Sequence, residues 1–159
     1  MARLVQIGMG RGGMYSYDWL ENLIGLGIHS AETIRDEWQH LGVGDRVVLV
    51  RDGWMGMKGG YALPVVMIEQ DRALVLRQSP PEHPWDAVWS FVITPTGPAS
   101  CRLLSRSRSA RRPGLAGALM RGLAQVMDPI ALFMTRKMLL GIKQRAERHC
   151  RSSGPLSPC

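Results

Sequence analysis

Three groups of residues in this chain have types and spacings that could do chemistry. The first is GMGRGG at residues 8–13, which matches G-x-G-x-x-G, the spacing that lets a turn approach a dinucleotide pyrophosphate. That use requires a strand before the turn, a helix after it and a second parallel strand ending in an acidic residue. Too little chain precedes Gly8 for that unit, and the region where the acidic residue would fall, SAETIRDEW, reads as a capped helix. A glycine-rich turn is expected, with no nucleotide cofactor. The second group is Asp18, Glu21, Glu32, Asp36 and Glu37 near His29 and His40. Carboxylates beside imidazoles can hold a metal or move a proton, but these spacings fit no ligand rule, and exposed helix faces carry the same residues. No metal site, no cofactor and no catalytic residue is assigned from them. Nor is a nucleophile elbow present to support a Ser–His–Asp arrangement. The third group is aromatic: Tyr15, Tyr17, Trp19, Trp54, Tyr61, Trp85, Trp89 and Phe91. With ten methionines, an adaptable residue, they could line a cavity for a flat apolar ligand or simply fill a core.

The elements that must position these residues divide along the chain. Residues 17–24 and 30–38 read as two short helices, the second N-capped by Ser30. Strand patterns follow over residues 45–50, 61–69, 73–79, 87–94 and 100–109, the second and third joined by Gln70-Asp71-Arg72. Pro64 marks an edge or a bulge in its strand. Alternation puts Trp85, Ala87, Trp89, Phe91 and Ile93 on one side, expected inward, and in the last strand puts Arg102, Arg106 and Arg108 toward water. Residues 113–147 read as one long helix with a stripe of Leu119, Leu123, Met127, Ile130, Met134, Met138 and Ile142. Pro129 lies inside it and predicts a kink or break, with Asp128 capping the restart. Strands followed by one long helix make an α+β domain in which a curved antiparallel sheet wraps the helix and leaves space inside.

At 159 residues the chain is one domain, expected over 1–148, with 149–159 a disordered tail. The net charge of +7 is uneven: residues 1–98 carry 8 basic and 11 acidic groups, and residues 99–159 carry 12 and 2, so that −3 and +10 sum to +7. No aromatic residues interleave with the arginines of the basic third, so a nucleic-acid partner is not expected. Cys101, Cys150 and Cys159 form neither a disulfide framework nor a zinc motif. The N-terminus has no apolar leader, and the most apolar stretch, residues 115–140, is broken by Arg121, Asp128, Arg136 and Lys137, so neither a secretory signal nor a transmembrane segment is expected. The expected location is cytoplasmic.

Several segments together resemble one family: LVQIGMGRGGMYSYDWLENLIGLGIHSAETIRDEW, GDRVVL, ALVLR, WSFVITP, CRLLSRSRSARRP and DPIALFMTRKMLLGIKQRAE. They are similar to the START-like (SRPBCC) superfamily, and within it to bacterial members labelled polyketide cyclase/dehydrase-like. The resemblance implies a helix-grip fold, with two short N-terminal helices, a curved antiparallel sheet and a long C-terminal helix enclosing an apolar cavity. It implies binding of a hydrophobic small molecule, lipid-like or polyketide-like. The alternative is a cyclase or dehydratase whose acid or base would come from Tyr17, Asp18 or His29. The expected lining is Trp19, Trp89, Phe91, Met127, Ile130 and Met134. Family members usually begin with a further strand, so the resemblance also implies a shortened start. Ser100–Ser109 would then be an open edge through which two copies could pair.

Overall fold

The computed structural model describes residues 1–23, 25, 27, 29–54, 58–81, 86–98, 100–110 and 114–152. Strands β1 (Arg46–Val50), β2 (Tyr61–Glu69), β3 (Ala73–Gln78), β4 (Ala87–Gly97) and β5 (Ser100–Ser109) form one antiparallel sheet in chain order. The sheet curves into a half-barrel. Each strand pairs with the next, as short hairpin connections dictate. Between β2 and β3 the turn is closed by the Arg72 amide donating to the Glu69 carbonyl at 3.0 Å. Asp71 takes the left-handed conformation there (φ 57°), which aspartate tolerates better than most residues. Pro64 sits in β2, an inner strand, and the pairing with β3 slips between Val65 and Met67, so the proline accompanies a bulge and not an edge.

Register across the sheet fixes which side chains share a face. Leu74, Phe91 and Ser105 form one row, Leu76, Trp89 and Ser107 the next, and Gln78, Ala87 and Ser109 the third. Leu74, Leu76 and Phe91 are fully buried, while Arg102, Leu104, Arg106 and Arg108 point from the other face to solvent. The expected inward side of β4 is therefore the core side, except that Trp85 lies outside the described residues. Against this face pack Leu4, Val5, Ile7, Tyr15 and Leu41 from the N-terminal third and Met138 and Ile142 from the C-terminal helix.

The glycine motif is a closed turn. Gly8 and Gly13 exchange both backbone hydrogen bonds, each at 3.0 Å, and the Met9 amide donates to the Val48 carbonyl at 2.7 Å, which docks the turn on the free side of β1. A Cβ on Gly12 would stand 2.7 Å from both the Gln6 carbonyl oxygen and the Tyr15 hydroxyl, so glycine is required by contact. Helix α1 (Ala2–Val5) precedes the turn and α2 (Asp18–Leu23) follows it.

The helix expected over residues 30–38 does not form; only a 3-10 turn, Asp36–Trp38, is present. Ser30 is occupied elsewhere: its hydroxyl donates to Asp18 at 2.6 Å and accepts from the Tyr15 amide at 2.9 Å. The backbone of residues 31–35 is irregular and is held by side chains from α1 and its C-cap. Arg3 donates to the Ala31 and Glu32 carbonyls at 3.2 and 2.7 Å, and Gln6 bonds the Thr33 carbonyl and the Arg35 amide. These long-range bonds take the groups that a helix would have paired internally.

Helix α3 runs over Gly114–Ser152, 39 residues and about 58 Å at the α-helical rise. It is unbroken at Pro129. A proline removes one hydrogen bond, and the flanking turns carry the helix past it. Pro113 lies outside the described residues. The helix also continues through residues 149–152, which were expected to be disordered; residues 153–159 lie outside the described residues. Basic groups in its last turn, His149 and Arg151, favour this extension by meeting the negative end of the helix dipole. Of the expected stripe, Met138 and Ile142 enter the core, Met134 is half-buried and Ile130 is exposed. The side chains of Leu119, Leu123 and Met127 lie outside the described part. Among the described residues no helix is long and apolar enough to cross a membrane.

Candidate functional site

The inner face of the sheet is filled at one end and open at the other. Leu74, Phe91 and the residues packed on them close the first end. Toward the start of β4 and the end of β5 the same face forms a concavity of about 280 Å³. Leu49, Tyr61 and Leu63 wall it from β1 and β2, Ala87, Val88 and Trp89 from β4, and Ser107 and Ser109 from β5. Alternation explains the composition: the bulky inward residues of β2 and β4 face serines on β5, and small side chains there leave volume unfilled. Trp89 is fixed on this wall. Its indole N–H donates to the Ser105 hydroxyl at 3.0 Å, and its ring lies 4.7 Å from that of Phe91.

On β3, Gln78 continues the buried run of Leu74 and Leu76 and pairs with Ala87 of the lining. Its side chain is 1% exposed, and neither the amide nitrogen nor the amide oxygen has a hydrogen-bond partner. Leaving a buried polar group unpaired costs about 1–3 kcal/mol. Sequence reasoning missed this residue, although the signal was legible: in ALVLRQ the glutamine sits at the position that alternation assigns to the apolar side.

A second hollow, about 520 Å³, lies on the outside between residues 15–19 and α3. Its groups are already engaged. Tyr17 stacks on Phe133 at 5.0 Å and carries the Lys137 ammonium 5.4 Å from its ring centre. Asp18 accepts from the amide and hydroxyl of Ser30. Arg145 lies over Tyr15 and pairs with Glu32 at 2.5 Å. Burial pushes the Tyr15 phenol above its ordinary pKa, opposed by the Gln6 hydrogen bond and by the charges of Arg3 and Arg145. Although larger, this hollow is more polar, and its side chains serve to fasten the helix. Among the described residues no three or more His, Cys, Asp or Glu side chains are placed to hold a metal ion.

The structure does not bring the six expected lining residues together. Trp89 lines the concavity. Phe91 lies on the same face but is wholly enclosed, in the row next to that of Trp89. Trp19 is 66% exposed and borders the outer hollow, because α2 turns that side of its surface outward. Ile130 is half exposed on α3, and Met134 is turned to the Ser16 hydroxyl, which approaches its sulfur at 3.6 Å. Met127 falls on a part of α3 whose side chains are outside the described residues. Lining residues missed from sequence are Leu49, Leu63, Ala87, Val88, Ser107 and Ser109; small or aliphatic types in strands carry no ligand signal until register sets them side by side.

No family model, no curated protein and no solved structure matches this chain significantly. Functional assignment therefore rests on the geometry of the sheet and its concavity.

Proposed function

We propose that this chain is a helix-grip protein of the START-like kind that binds a hydrophobic small molecule, lipid-like or polyketide-like, on the inner face of its sheet. The observation that carries the reading is the open end of that face, where Tyr61 and Trp89 flank about 280 Å³ of space beside an otherwise filled core. The curved five-stranded sheet and the long C-terminal helix support it. A cytoplasmic location goes with it, on the strength of the sequence. Covering about 200 Å² of apolar ligand surface contributes about 5 kcal/mol. Association costs several kcal/mol against that, so surface burial alone gives an affinity of about millimolar or weaker.

Binding is favoured over catalysis. Among the described residues the lining has no carboxylate, imidazole or amine. The groups that would serve a cyclase or dehydratase lie elsewhere: Tyr17 and Asp18 border the outer hollow, and His29 is exposed. The test is tryptophan fluorescence of the folded chain titrated with fused-ring and fatty-acyl compounds. At least one class is expected to quench or shift the emission, with the response reduced in Trp89→Phe. A folded protein that responds to none of them overturns the reading.

A further inference from the structure

We propose that Gln78 recognises a hydrogen-bonding oxygen on the bound molecule, so that the preferred ligand is an apolar ring compound carrying a hydroxyl group at its buried end. The inference rests on the reading of the concavity as a ligand site. Gln78 pairs with Ala87, which lines the concavity, and is itself buried behind that lining. It is the one polar side chain of β3 directed to the apolar side, and both ends of its amide are unpaired. Its neighbour in the row is alanine, the smallest side chain available to cover it, and beyond that stands the Ser109 hydroxyl. A buried amide with neither donor nor acceptor satisfied is destabilising where it stands, and an incoming ligand group can supply what the fold withholds.

The two ends of the amide specify the chemistry. A ligand hydroxyl donates to Oε1 and accepts from Nε2, and so satisfies both. A ketone oxygen only accepts and satisfies Nε2 alone. A hydrocarbon satisfies neither. Both amide atoms are sealed in the unliganded chain, so side chains of the lining must shift to admit the ligand oxygen.

The test uses three compounds of nearly one shape: fluorene, 9-fluorenone and 9-hydroxyfluorene, titrated into the full chain and into Gln78→Met. Partition out of water favours the hydrocarbon over its oxygenated forms. The proposal requires the opposite order in the native chain, with 9-hydroxyfluorene tightest, fluorenone next and fluorene weakest, and about tenfold between the extremes. In Gln78→Met the order reverts to that of hydrophobicity. Binding of all three to the native chain in the hydrophobic order overturns the role of Gln78 and leaves the concavity standing as an apolar site. A preference for the hydroxyl that persists in Gln78→Met also overturns it. No binding by any of the three overturns both the Gln78 assignment and the ligand site. The ranking on the native chain decides the matter even if the variant fails to fold.

Discussion

Replacing Gln6 by alanine tests whether the N-terminal third is held by side-chain hydrogen bonds more than by helix formation. Gln6 is completely buried. Its amide nitrogen donates to the Tyr15 hydroxyl at 2.7 Å and to the Thr33 carbonyl at 3.1 Å. Its oxygen accepts from the Arg35 amide at 3.3 Å and from the Gln39 side chain at 3.2 Å. Thr33, Arg35 and Gln39 reach solvent, so water replaces part of what they lose, about 0.5 kcal/mol each. The Tyr15 hydroxyl belongs to a residue 1% exposed and cannot be rehydrated, which adds about 1–2 kcal/mol. The expected total is about 3 kcal/mol, a large share of the 5–15 kcal/mol typical of a domain. For a chain of this length it corresponds to a fall in Tm of about 6–12 °C. Urea and thermal unfolding followed by circular dichroism measure it. A cycle with Tyr15→Phe isolates the Gln6–Tyr15 bond, for which a coupling of about 1 kcal/mol is expected. A loss below about 1 kcal/mol in Gln6→Ala, or no coupling in the cycle, refutes the reasoning.

Three further outcomes are expected. Phe91→Ala, at a fully buried position, should cost about 3–5 kcal/mol, measured by chemical denaturation; a cost under about 1 kcal/mol means that the core end of the sheet is not closed as described. Gly12→Ala drives a methyl group into the Gln6 carbonyl and the Tyr15 hydroxyl and should cost about 1–3 kcal/mol, whereas Gly10→Ala meets open space and costs only the strain of its left-handed backbone (φ 75°), about 1 kcal/mol; equal effects contradict the packing of the turn. Tyr15 should make stability fall at alkaline pH. Burial raises its folded pKa above the unfolded value of about 10, so its contribution is complete below pH 10 and is lost as pH rises through the folded value. Urea midpoints of the native chain should then fall more steeply above pH 10 than those of Tyr15→Phe.

Much of the sheet was legible because its strands alternate and their turns are short. The bounds of β2 follow from an apolar run and those of β5 from an alternating stretch, each set between turn residues. β4 runs to Gly97, past the expected end at residue 94, because its ladder with β5 continues through Pro95 with a register shift before Gly97. The segment at residues 30–38 misled because a Ser followed by acidic residues suits a helix start, while the bonds that prevent a helix come from Arg3 and Gln6, some thirty residues away in the chain. The site was less legible for the same reason. Trp19 and Ile130 have the residue types of a lining, but nothing local says which way α2 and this part of α3 face. Gln78, Ala87 and Ser109 become neighbours only through the pairing of successive strands.

β5 ends the sheet with β4 as its sole strand neighbour among the described residues, and Arg102, Arg106 and Arg108 stand along its outer surface. Such a border is electrostatically self-avoiding. Two molecules approaching rim to rim would crowd six guanidinium groups together, a penalty that depends on ionic strength because exposed charges more than about 10 Å apart are screened at 0.1 M salt. Dilute buffer should therefore disfavour association through this border, and concentrated salt should remove that protection before it disturbs the interior.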